Sequence, residues 1–72
     1  MTDPRLINEA ILESGLKKYF IAEKMNISRY SLLLKIDNRR KFKESEIETL
    51  CDLLGLDMAA RDRMFFAKNV AD

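Results

Sequence analysis

The chain contains no histidine, which removes the commonest general base and the commonest metal ligand together. Its single cysteine, Cys51, can form neither a thiolate cluster for zinc nor an internal disulfide. Glu44, Glu46 and Glu48 recur at a spacing of two, so on a helix they point in different directions and make no paired acid–base site. No glycine-rich phosphate loop is present, with only two glycines in 72 residues. No enzyme chemistry is expected, and no catalytic residue, metal or cofactor with it.

The residues that can do chemistry are the bases. Between Lys17 and Lys43 lie Lys17, Lys18, Lys24, Arg29, Lys35, Arg39, Arg40, Lys41 and Lys43, against Glu23 and Asp37 alone, a local charge of +7. The remainder holds four bases and ten acids, a charge of −6, so the whole comes to only +1. A near-neutral chain with a strongly basic middle suggests a local anionic partner, with phosphate the usual candidate.

These bases must be positioned by short helices. Asp3-Pro4 is a helix start, Asp as a cap and Pro at the first helical position, and Gly15 is a stop. The first helix is predicted over 4–14, with Ile7, Ala10, Ile11 and Ser14 on one face. A second is predicted over 17–25, a third over 29–36 with Ser28 as its cap, a fourth over 44–54 and a fifth over 57–68. The expected fold is an all-α, compact five-helix single domain spanning residues 1–72. No apolar run is long enough to span a membrane, and no secretory signal is expected from the opening Met-Thr-Asp-Pro. With a lone cysteine, a cytoplasmic setting is expected.

The spacing across residues 17–37 is that of a helix-turn-helix. Ala22 is the small residue needed where two helices cross closely. Asn26, four positions on, tolerates the left-handed turn, and Met25, Ile27 and Leu32 supply the flanking apolar side chains. The third helix can then turn its opposite face toward a major groove.

With these residues in place, the chain resembles the Cro/CI-type (XRE-type) helix-turn-helix regulators of phages and bacteria, whose fold is lambda-repressor-like. Tyr19 to Leu32 is similar to that family's second and third helices, Asp37 to Phe42 to its loop, and Glu46-Ile47 with Leu50 to Leu56 to its fourth helix. Nearly the whole chain is covered, and Cro-like switch proteins of temperate phages are similar in size. The resemblance implies a transcriptional regulator of a lysogenic/lytic switch that binds double-stranded operator DNA in a bacterial host cell. It implies a phosphate contact for Lys18, base contacts for Ser28, Arg29 and Tyr30 with Arg29 on guanine, and a cap or backbone role for Ser31. Lys35, Arg39, Arg40 and Lys41 would bind phosphate.

The sequence also departs from the family. Asn26 and Asn38 stand where glycine is common, and Lys43 replaces a frequent threonine cap. Leu33 and Leu34 occupy positions of the third helix that are usually polar. A helix this narrow cannot bury Leu32, Leu33, Leu34 and Ile36 together, so at least one leucine is expected to be exposed beside Tyr30. Tyr30, Leu33 and Leu34 are therefore also candidates for binding a protein. On that reading the chain is a modulator that binds a CI-type repressor directly. Met64-Phe65-Phe66 is either a self-association surface or a closure of the core over the first helix.

Overall fold

The computed structural model describes residues 1–66, which form five α-helices: α1 (Pro4–Ser14), α2 (Lys18–Lys24), α3 (Arg29–Ile36), α4 (Glu44–Leu54) and α5 (Met58–Phe65). No strand occurs among the described residues. The five predicted helices are all present, and the bounds of α1, α3 and α4 coincide with those expected. α2 is shorter by a residue at each end: Lys17, with no side-chain acceptor, stands as its N-cap and Met25 as its C-cap. α5 begins after Asp57, whose carboxylate accepts the Ala60 N–H at 2.8 Å. It ends at Phe65, so the predicted extension to Lys68 runs into residues outside the described ones.

Local chemistry explains the other helix ends. The Asp3 carboxylate accepts the N–H groups of Arg5 and Leu6 (3.1 and 3.4 Å), and Ser28 Oγ accepts the Ser31 N–H at 3.0 Å. Each satisfies a donor that a helix start leaves without a partner. α2 and α3 both finish in the paired bonds of a Schellman motif. At the end of α2, Ile27 N–H donates to the Ala22 carbonyl and Asn26 N–H to that of Glu23; at the end of α3, Arg39 N–H donates to Leu34 and Asn38 N–H to Lys35. This motif requires a left-handed residue, and Asn26 (φ 60°) and Asn38 (φ 63°) supply it in place of glycine.

The core draws on every helix: Ile7 and Ile11 from α1, Ile21 and Ala22 from α2, Leu32 and Ile36 from α3, Ile47, Leu50 and Cys51 from α4, and Phe65 from α5, with Met25 at the α2 turn. Four of these, Ile7, Ile21, Leu32 and Leu50, are fully buried, and burying each stabilises the fold by about 1.5–3 kcal/mol. α2 packs chiefly on α3, while α1 lies against α4 and α5. Phe42 brings the α3–α4 loop back to the core, its ring edge-on to Phe65 with centroids 5.3 Å apart. Phe65 closes the core and Phe66 stays exposed. Ser14 is not an inward residue. It is exposed, and its hydroxyl donates to the Ile11 carbonyl at 2.6 Å.

Candidate nucleic-acid interface

The four-residue connection 25–28 holds α2 and α3 together through Ala22, Met25 and Leu32, all buried, with Ile27 half-buried between them. With the inner face of α3 taken by Leu32 and Ile36, the face bearing Tyr30, Leu33, Leu34 and Asp37 turns away from the core, at the helical spacing of three, one and three. Tyr30 is 67% exposed and Leu33 38%, while Leu34 is half-buried. The expectation that a leucine stands exposed beside Tyr30 is met by Leu33.

Basic side chains surround this face. Lys18, at the start of α2, and Arg39, in the loop after α3, line a groove of about 310 Å³ together with Leu33, Leu34, Pro4 and Asn8. Arg39 Nε also pairs with the Asp37 carboxylate at 3.3 Å, which offsets the one acid on the outer face of α3. Arg40 reaches back from the loop to Ser31 Oγ at 3.4 Å, tying the basic loop to the first turn of α3. Arg29 and Lys41 are exposed without an ion-pair partner among the described residues, and Ser28 is exposed while serving as the α3 cap. Lys18, Ser28, Arg29, Tyr30, Ser31, Arg39 and Arg40 thus lie on or beside α3, as do Leu33 and Leu34, while Lys41, farther along the loop, lines a separate hollow with Thr2, Phe42 and Phe66.

Lys35 does not belong with them. Its side chain is only 8% exposed, and its ammonium donates to the Glu46 carboxylate, itself 7% exposed. A cation held there cannot reach a phosphate, so Lys35 is not the phosphate contact that the resemblance implied. The reason lies in the helix period: position 35 falls beside Leu32 and Ile36 on the inward side of α3, where a base must find an acid or lose its charge. Glu46 Oε1 also accepts the Lys43 N–H at 2.8 Å, so one carboxylate both neutralises Lys35 and caps α4. Burial alone would push the Glu46 carboxyl up. The hydrogen bonds from Lys35 and from the Lys43 backbone, with the charges of both lysines, outweigh it and hold the group below its ordinary value.

A second constraint on the loop comes from the chain before α1. Thr2 is buried, and its N–H donates to Asn38 Oδ1 at 2.8 Å while Asn38 Nδ2 donates to the Thr2 carbonyl at 3.1 Å. The Thr2 hydroxyl adds a bond to the Ile36 carbonyl at 2.9 Å. The asparagine amide thereby acts as a surrogate peptide, clamping the chain before α1 onto the end of α3, next to Arg39 and Arg40. Asp3 N–H, bonded to the Met64 carbonyl at 2.7 Å, ties the same segment to α5.

Among the described residues no cluster of histidine, cysteine or carboxylate side chains could hold a metal ion, and no helix is long and apolar enough to cross a membrane. In comparisons with protein-family models, with curated proteins and with solved structures, nothing matches the chain.

Proposed function

We propose that this protein is a DNA-binding transcriptional regulator of the Cro/CI type, acting in the cytoplasm of a bacterial host on a phage lysogenic/lytic switch. The observation that carries the reading is the placement of Lys18, Arg29, Arg39 and Arg40 around the exposed outer face of α3. α3 would enter the major groove with Arg29 toward a guanine, while Lys18, Arg39, Arg40 and Lys41 hold the flanking phosphates and fix the register. Two copies would be needed for two half-sites. Titration of labelled operator DNA at several salt concentrations tests the reading. Four phosphate contacts per copy give a slope of log K against log salt of about −3.6 for one bound copy. No binding at low salt, or an affinity indifferent to salt, would refute it.

One observation favours a second reading. The 67% exposure of Tyr30 and 38% exposure of Leu33 put apolar surface where a DNA reader ordinarily presents hydrogen-bonding groups. That surface suits a protein partner, and on this reading the chain modulates a CI-type repressor by binding it directly. Leu33→Glu should then abolish repressor binding in calorimetry with the helical circular dichroism unchanged; unaltered affinity would remove the reading.

A further inference from the structure

We infer that the outer face of α3 reads thymine: Leu33 and Leu34, beside the Tyr30 ring, form a seat for the C5-methyl groups of A·T pairs. The inference rests on the DNA-binding reading above and specifies what that helix recognises.

Leucine side chains have no hydrogen bond to offer a base edge, so they cannot select guanine, cytosine or adenine by donor and acceptor pattern. The major-groove feature that rewards an apolar side chain is the thymine methyl. The exposed Leu33 and the half-buried Leu34 are adjacent, with the exposed Tyr30 one turn before them, so the three form an apolar strip on the outer side of the helix. Charge says which partner suits that strip. Lys18 and Arg39 wall the groove in which both leucines lie, Arg29 stands at the head of the helix, and Arg40 is anchored to Ser31 beside it. The only acid on the face, Asp37, is paired with Arg39. An apolar strip edged with cations matches a duplex, whose groove floor carries methyl groups and whose walls are phosphate. Arg29 lies outside the strip, one position before Tyr30, and remains available for a guanine at the end of the same site.

The test uses the full chain and a pool of DNA duplexes randomised over two helical turns, with repeated selection at low salt. The most enriched duplex is then remade with deoxyuridine replacing thymidine one position at a time, which removes only the methyl group. The expected result is a selected site with A·T pairs at fixed positions, at one or two of which uracil weakens binding about fourfold, the worth of one buried carbon. Leu33→Ala should bind the thymine and uracil duplexes alike, and Leu33→Met should keep the discrimination. Because Leu33 is partly exposed, both variants should fold, as circular dichroism will verify. A selected duplex bound with steep salt dependence but equally well with uracil throughout would overturn the thymine inference and leave the DNA-binding reading standing. A pool from which no duplex is enriched would bring down both.

Discussion

The buried ion pair between Lys35 and Glu46 allows the sharpest test of how the fold and the candidate interface divide α3 between them. Glu46→Gln removes the negative charge but keeps an oxygen for the Lys43 N–H, so it isolates the ion pair from the helix cap. It strands an ammonium whose side chain is 8% exposed. Removing one member of a buried pair costs about 3–5 kcal/mol, and even the lower figure is a large share of the whole. A chain of 72 residues has about 4–11 kcal/mol of stability in all, so a loss of about 3 kcal/mol lowers the thermal midpoint by about 12–24 °C. Lys35→Met, which leaves Glu46 its bond from Lys43, should cost about 1–2 kcal/mol. The double variant Lys35→Met/Glu46→Gln buries no charge and should lie within about 1 kcal/mol of the parent. Urea unfolding of the four proteins therefore gives a coupling energy of at least about 3 kcal/mol. A coupling below about 1 kcal/mol, the value for an exposed pair, would refute the assignment of Lys35 to the core.

The pH dependence follows from the same pair. Glu46 has a folded-state pKa below its unfolded value, so its stabilisation is full above about pH 4.3 and is lost as pH falls through the lower, folded value. The stability gap between parent and Glu46→Gln should therefore be constant near neutrality and close in acid. Midpoints that differ equally at pH 7 and pH 2 would contradict this.

Other expectations can be checked with the same preparations. Lys41→Ala should reduce the salt slope of DNA binding by about 1, whereas Lys35→Met should leave it unchanged. Asn26→Gly and Asn38→Gly remove the same strained φ but should differ in sign. The first should be neutral or stabilise by up to about 1 kcal/mol in urea unfolding. The second, which also breaks the Thr2 clamp, should destabilise by about 1–2 kcal/mol. Cys51 is buried, which raises its thiol pKa, reinforced by Asp52 and opposed by Arg61. Its reaction with a disulfide reagent should therefore follow the rate of chain opening; modification at the rate of a free thiol would show an accessible sulfur.

Much of this architecture is legible in the sequence because its signals are local. Asp3-Pro4, Ser28 and Asp57 each act on N–H groups two or three residues away, and Asn26 and Asn38 are defined by single dihedral angles. The exposure of Leu33 follows from counting apolar residues on one narrow helix. The remaining features depend on partners distant in the chain. Lys35 reads as another surface base until Glu46, eleven positions on, is seen to face it, although the inward phase of position 35 was already present in the period of α3. Nothing around Thr2 marks it as buried, since its partner Asn38 is 36 positions away and meets it only once α3 is packed.

The Thr2 clamp also bears on the order in which the chain assembles. α2, its turn and α3 are bonded through neighbours within a few residues, so they can form before the chain is compact. The bonds from Thr2 to Asn38 and from Asp3 to Met64 close the longest loops described and bring their reward only after that closure has been made. Contacts that close loops of this length are expected to form late in folding. On that expectation Thr2→Ala should speed unfolding more than it slows folding, which stopped-flow urea kinetics would read directly. The basic loop is thereby tied to a threonine 36 positions from the asparagine that holds it.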